Sequence, residues 1–278
     1  MDVASLANRQ IAFVGGGTMA EAFIRGLLGK GLASPGQVVV GEPLAPRRDY
    51  LARELSIRTT ADNAAAARDA EIVVLAVKPQ AAAAALAPLQ GALREGVLVI
   101  SIMAGVRLGA LQTMLGVPAI VRVMPNTPAQ VGEGICAWTK TPAVSDEQAA
   151  LARAILSSLG EEVLLSDEDQ VDMATALSGS GPAYVFLFIE ALIDAGVQMG
   201  LARPIAEKLA LQTVHGSASY AQQSALHLAV LRNMVTSPGG TTAEGLYALE
   251  RGGLRATLVE AVLAAYRQAR RLGGNETA

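Results

Sequence analysis

The first half of the chain alternates short, almost continuously apolar runs with amphipathic or alanine-rich stretches. Ile11–Val14, Val38–Gly41, Ile72–Val77, Val97–Ile102 and Ala119–Val123 are such runs, rich in β-branched residues. A strand that is apolar on both faces is covered on both faces, so the pattern predicts a parallel sheet between two layers of helix. Helices are expected at Met19–Gly29, Arg47–Leu55, Asp62–Asp69, Pro79–Arg94 and Leu108–Leu115, with Pro88 breaking or kinking the fourth. Gly134–Thr139 and Glu162–Leu165 extend the sheet, and the helix between them opens on a capping box of Ser145 and Gln148.

From Ser166 onward the strand pattern stops and every segment reads as helix. The change predicts an α/β domain over residues 1–166 and an all-helical domain over 167–278. Ser166 with Asp169 is expected to cap one helix, and Gly181-Pro182 opens another with proline in its first turn. That helix, Pro182–Met199, is apolar nearly all round, and its one polar stripe is Glu190, Asp194 and Gln198. So narrow a polar stripe marks a buried helix, and a domain of about 110 residues is too small to hide it alone. Burial against a second subunit is therefore expected. Glu190 and Asp194 also weigh against a membrane span. Pro204–Gln223 and Leu254–Leu272 complete the helical half.

Composition narrows the partners. The chain has 278 residues, 51% of them hydrophobic but only 4% aromatic, so its core is built from Ala, Val and Leu. A net charge of -3 gives no basic footprint for nucleic acid. One cysteine, Cys136, rules out an internal disulfide and suits a reducing compartment. With His215 and His227 as the only histidines, no metal site is expected. The first ten residues lack the basic and apolar regions of a secretion signal, so the expected location is the cytoplasm.

Two stretches carry chemistry. Ile11–Ala22 reads as a strand, a tight Gly15-Gly16-Gly17 turn and a helix start, with the spacing G-x-G-x-x-A. Gly15 permits the turn, Gly17 lets a pyrophosphate approach the backbone, and Ala20 keeps the helix close to the strand. Unpaired amides at the helix start then face the phosphates. The second strand ends at Glu42, about 20 residues on, where a carboxylate meets a ribose hydroxyl. Together these predict a nicotinamide dinucleotide site. The other stretch is Thr236–Thr242, TSPGGTT, in which Thr241 and Glu244 form a capping box and Thr242 begins a helix. It reads either as an anion pocket able to aim one hydroxyl or as a plain helix start. Ser178–Pro182 and Asn126 likewise read as a glycine-rich connection and a turn residue.

GGGTMAEAFIRGL, AVKPQ, RVMPNTPA, ALSGSGPAYVFLFIEALIDAGVQMGL and VTSPGGTTAEGLYALE, in that order from about residue 10 to 270, resemble pyrroline-5-carboxylate reductase. The resemblance implies an N-terminal Rossmann-type, mostly parallel sheet with a C-terminal all-helical dimerisation domain. It implies reduction of 1-pyrroline-5-carboxylate to L-proline by NADPH or NADH, in an interlocked homodimer often assembled into rings. By position it assigns the pyrophosphate to Gly15, Gly17, Thr18 and Met19, and the adenosine ribose to Asn63. The rest of the dinucleotide falls to Ala76, Val77, Lys78 and Pro79 and to Ile102, Met103 and Ala104. Met124, Pro125 and Asn126 lie where the nicotinamide arrives. Gly240, Thr241 and Thr242 would hold the substrate carboxylate through their amides, and Thr242 Oγ the ring nitrogen. Glu168 and Ser180 fall at further substrate positions. The swapped dimer implies that the TSPGGTT pocket and the dinucleotide facing it come from different subunits.

Two departures from the family pattern stand out. His227 is followed by Leu228, where the family often has proline, and the loop GEPLAPRR places Glu42 close to Arg47 and Arg48. Glu42 would bind a ribose diol and repel a 2′-phosphate, whereas either arginine could pair with one, so cofactor preference stays open. Two other readings compete. A β-hydroxyacid dehydrogenase needs a lysine on the helix entering the second domain, and Gly181–Met199 has none. A non-catalytic dinucleotide sensor would be expected to lose the glycine turn or Thr242, and both are intact.

Overall fold

The structure is a computed structural model describing residues 6–274. The N-terminal part is an eight-stranded sheet. Its strands are β1 (Ile11–Val14), β2 (Val38–Gly41), β3 (Arg58–Thr60), β4 (Ile72–Leu75), β5 (Leu98–Ser101), β6 (Ile120–Met124), β7 (Gly134–Lys140) and β8 (Gly160–Leu164). They lie in the order β3-β2-β1-β4-β5-β6-β7-β8. β1 to β6 are mutually parallel, β7 runs antiparallel to β6, and β8 pairs parallel with β7. The strand order reverses at β1, whose register aligns Val14 with Gly41 on one side and with Leu75 on the other. Beyond the carboxyl end of that strand lies the crevice where such sheets take ligands.

The sheet is buried on both faces, as its apolar runs require. Ile11 and Phe13 point into one layer with Phe23, Ile24 and Leu27 of α1 (Thr18–Gly29) and Leu51 of α2 (Ala45–Leu55). Ala12 and Val14 point into the other, with Ala67 of α3 (Asn63–Ala67), Leu86 of α4 (Ala82–Leu86) and Leu111 of α5 (Leu108–Leu115). The expected Pro79–Arg94 helix is broken. Pro79 and Pro88 each sit in a tight 3-10 turn, and only α4 between them is α-helical. The capping box of Ser145 and Gln148 opens α6 (Asp146–Leu156) as expected. β3 gives no hydrophobic signal because it is a three-residue polar edge strand.

The chain divides into two compact units, one reaching to Ser180 and resuming at Ala265, the other Gly181–Ala264. This division lies later than the expected one at 166 and 167, and a buried ion pair explains why. Arg122, in the middle of β6, is 1% exposed and binds Asp172 of α7 (Asp169–Ala174) at 2.5 Å. That pair ties α7 to the sheet. Ser166 does not cap α7, because its amide and hydroxyl turn to Gln170 and Glu168 takes the N-cap position. A π-helical turn, Thr175–Gly179, leads to Ser180.

The second unit contains α8 (Gly181–Gln198), α9 (Arg203–Gln223), α10 (Leu228–Met234) and α11 (Thr241–Arg251). α12 (Leu254–Leu272) begins in it and ends in the first unit. α8 and α9 meet through Ile189, Ile193, Ala206 and Ala210. Gly196 is needed there, since a Cβ would sit 3.0 Å from that of Ala206. Much of α8 is exposed, Phe186 to 58% and Leu187 to 68%. Within the helical stretch Asp169–Gln198 an 18-residue window has a mean hydropathy of 1.5, so by length and composition alone it could cross a membrane. Its polar stripe of Glu190, Asp194 and Gln198 remains as predicted.

Asp172→Ala would strip Arg122 of its shortest contact inside the protein. Breaking a buried pair by removing one partner costs about 3–5 kcal/mol, and urea unfolding should show a loss of that size. A loss below about 1 kcal/mol, the level of an exposed pair, would mean that the pair does not hold α7.

Candidate active site

The crevice at the end of β1 is built by backbone that comes too close for side chains. Gly15 has φ +96°, and its amide donates to the Gly41 carbonyl at 2.8 Å. A Cβ on Gly15 would lie 2.8 Å from the Ala76 carbonyl oxygen, and one on Gly16 2.7 Å from Leu51. Gly17 is different. It is the N-cap of α1, with ordinary φ, and a Cβ there would meet nothing within 4 Å. Among the described residues, the amides of Gly17, Thr18 and Met19 donate to no protein acceptor. Open space and free amides at a helix N-terminus suit an anion.

A cleft of about 650 Å³ opens from this turn. Seven of the residues predicted for the cofactor line it: Gly15, Gly17, Glu42, Asn63, Ala76, Val77 and Lys78. Asn63 begins α3, whose N-cap Asp62 accepts from the Ala64 and Ala65 amides. Its Nδ2 reaches the Ala85 carbonyl at 3.4 Å, while its Oδ1 is buried with no partner. Leaving a buried acceptor unpaired costs about 1–3 kcal/mol. These features fit a dinucleotide.

Other predicted residues stand differently. Met103 is 1% exposed and belongs to the core beneath the sheet, so its side chain does not face the cleft. Ile102 packs against the core, and its amide donates to Leu75. Ala104 follows in the loop after β5, and Pro79 starts the 3-10 turn after Lys78. Asn126 Oδ1 accepts from the Ile135 amide at 3.0 Å, which fixes the turn after β6. Gly179 of the π turn lies against Met124, where a Cβ would come within 3.3 Å of Cγ and Sδ.

Glu42 and Glu168 both accept hydrogen bonds from the protein's own groups. Glu42 is 8% exposed and accepts from the amides of Gly16 at 2.9 Å and Leu44 at 3.0 Å. Glu168 accepts from the Leu108 amide at 2.7 Å, from Arg122 at 3.1 Å and from Arg107 at 3.3 Å. In this chain Glu168 caps α5 and braces the Arg122 pair. The sequence reading missed that network, although an arginine inside the apolar run IVRVM was the available signal. Ser180 donates its amide to the Thr175 carbonyl at 2.8 Å and closes the π turn.

In the other unit, α11 starts one residue earlier than expected. Thr241 is its first residue, Thr242 the second, and Gly240 the N-cap. With glycine at the cap there is no side chain to close a box, so the expected pairing of Thr241 with Glu244 does not form. Gly240 donates to the Ser237 carbonyl and accepts from the amides of Ala243 and Glu244. The amides of Thr241 and Thr242 have no acceptor among the described residues. Cys136 is buried, and burial with the nearby Glu162 pushes its thiol up to about 12, which makes it inert. No group of three or more His, Cys, Asp or Glu among the described residues could hold a metal.

Comparison with known proteins adds a second line of support. Residues 168–272 match the family described as pyrroline-5-carboxylate reductase dimerisation. Residues 10–105 match the family of coenzyme F420-dependent NADP oxidoreductases. A pyrroline-5-carboxylate reductase of Synechocystis is 47% identical, over 95% of this chain and 98% of the relative. One from Pseudomonas aeruginosa is 41% identical, over 94% and 95%. Among solved structures, the Coxiella burnetii reductase superposes with a TM-score of 0.89 at 39% identity, covering 95% of this chain and 98% of that one. The Plasmodium falciparum enzyme with NADP bound gives 0.87 at 36% identity, covering 96% and 98%.

The contrast between the two glycines can be tested. Gly15→Ala should destabilise the fold, because both its φ and the Ala76 carbonyl oppose a side chain. Gly17→Ala should keep its melting temperature yet lose dinucleotide affinity by about tenfold or more, that is, about 1.4 kcal/mol. Calorimetric titration with the oxidised dinucleotide beside thermal unfolding separates the two. Unchanged affinity in Gly17→Ala would remove the pyrophosphate from this turn.

Proposed function

The chain belongs to the pyrroline-5-carboxylate reductase family, so it reduces 1-pyrroline-5-carboxylate to L-proline with NAD(P)H, and we propose how its residues divide that work. The observation that carries this division is the cleft at the reversal of strand order. There the free amides of α1 stand beside the orphaned Oδ1 of Asn63.

Gly15, Gly17, Thr18 and Met19 hold the pyrophosphate, with the α1 dipole adding to the free amides. Asn63 Oδ1 accepts from the adenosine ribose. Ala76 to Pro79 and the backbone of Ile102 to Ala104 line the remaining length, and the turn at Met124 to Asn126 meets the nicotinamide. The reduced nicotinamide supplies the hydride. On the substrate side, the free amides of Thr241 and Thr242 and the bend at Gly240 hold the carboxylate, and Thr242 Oγ hydrogen-bonds the ring nitrogen. We place these two halves of the site in different subunits of a homodimer.

The chemistry asks little of an acid. A protonated cyclic imine is already an electrophile, and alignment of the reacting atoms lowers most of the barrier. An unperturbed hydroxyl is a poor proton donor at neutral pH, so Thr242 positions the nitrogen and the proton comes from solvent. Glu168 and Ser180 hold the entry to the helical half; Glu168 acts on substrate through that scaffold, since its carboxylate is already shared among three protein donors.

The chain oligomerises through its helical region, which matches the dimerisation family. We propose that α8 is the seam, with Phe186, Leu187 and Phe188 covered by the second copy, and that dimers assemble further into a ring. The match to that family favours a subunit partner over lipid for this helix, and we place the enzyme in the cytoplasm.

Thr242→Ala should lower kcat by more than about tenfold while dinucleotide affinity stays within about twofold, the pattern of lost positioning in the transition state. Steady-state kinetics with 1-pyrroline-5-carboxylate, alongside dinucleotide titration, checks this. Equal losses in kcat and dinucleotide affinity would make Thr242 only a part of the α11 start.

A further inference from the structure

We propose that Glu42 makes NADH, rather than NADPH, the preferred reductant of this chain. The inference rests on the reading of the cleft as the dinucleotide site, and it concerns the adenosine end of that site.

Glu42 follows directly on β2 and lines the cleft beside the glycine turn. Its two carboxylate oxygens are pinned by different backbone amides, Oε2 by Gly16 and Oε1 by Leu44. Each oxygen keeps lone-pair capacity for a further donor. The carboxylate is therefore an oriented acceptor, which suits the hydroxyls of a ribose diol. A 2′-phosphate there would replace a donor with acceptor oxygens and bring its own negative charge against a fixed carboxylate. Glu42 cannot swing away without abandoning the amide of the glycine turn.

Acceptance of a 2′-phosphate would need a cation to offset that charge, and the nearby ones are engaged. Arg47 Nε donates to the Gly16 carbonyl at 2.6 Å, and Nη2 binds Glu21 at 2.6 Å. Its guanidinium also lies over the Tyr50 ring, 5.0 Å from the centroid. Glu21 is shared with Arg25 at 2.7 Å; burial works against its charge, but hydrogen bonds from Arg25, Arg47 and Tyr50 hold its carboxyl below the usual range. Arg48 Nη1 bridges the carbonyls of Glu42 and Pro43, each at 2.8 Å. Lys78 lines the same cleft from beyond the end of β4, with β1 lying between β4 and β2. The start of α2 offers little, because the Leu44 amide already serves Glu42 and Pro46 has no amide hydrogen.

Calorimetric titration of the full-length enzyme with NAD+ and with NADP+ tests the proposal without turnover. The wild type should bind NAD+ about tenfold or more tightly over NADP+, a difference of about 1.4 kcal/mol. Glu42→Gln should shrink that ratio by raising NADP+ affinity. Arg48→Ala should leave the ratio unchanged, and it supplies a second arm should the Gln variant fold poorly. Tighter NADP+ binding by the wild type would overturn the proposal, as would a selective loss of NADP+ affinity in Arg48→Ala. Those results would leave the reductase assignment standing, whereas no binding of either dinucleotide would defeat both.

Discussion

Three backbone segments crowd together where β1 ends, and the rest of the molecule is arranged around that crowding. The turn after Val14 lies so close to Ala76 that Gly15 has no room for a side chain, and Leu51, Val40 and Glu42 close in on Gly16. Gly41 in turn lets Asn63 approach the end of β2. Such an approach is possible only because β1 sits between β2 and β4, both parallel to it, so their carboxyl ends converge. The convergence leaves a cleft whose walls are mostly backbone and small side chains, suited to a long, charged ligand that must be gripped by amides. Glu42 and Arg47 are bonded to backbone of the glycine turn, and Asp62 caps α3 beside the cleft.

A second constraint ties the sheet to α7 and the π turn. Arg122 is a full charge in the core, and its partners Asp172 and Glu168 come from the segment that leads into the helices. Buried charges are stable only when paired, so the pairing fixes α7 and, through the π turn, the position of Gly179 against Met124. Met124 and Asn126 lie at the end of the strand that carries Arg122. The ion network and the proposed nicotinamide end of the cleft thus share one strand.

Much of this was legible in the sequence, and the remainder was hidden for physical reasons. The apolar runs announced β1, β2, β4, β5 and β6 because strands buried on both faces cannot be polar. β3 is a short polar edge strand and leaves no such trace. The capping box at Ser145 formed, since serine stood at the true N-cap. The boxes expected at Ser166 and Thr241 did not, because Glu168 and Gly240 occupy those caps. Spacing located the glycine turn, where Gly15 and Gly16 are hemmed in by their neighbours and Gly17 is left open. It could not reveal that Glu42 is pinned by two amides or that Arg47 is bound to Glu21. Those are contacts between segments, and their consequence for the cofactor emerges only from geometry.

The central claim is that this chain moves a hydride from a nicotinamide to the imine carbon of a small cyclic amino acid. Reduction of 1-pyrroline-5-carboxylate with NADH carrying deuterium at C4, in each stereochemical form, tests it at the level of atoms. One of the two forms should deliver its deuterium to C5 of the proline product, as read by mass spectrometry and NMR. Unlabelled proline from both forms, or no proline at all, would contradict the account.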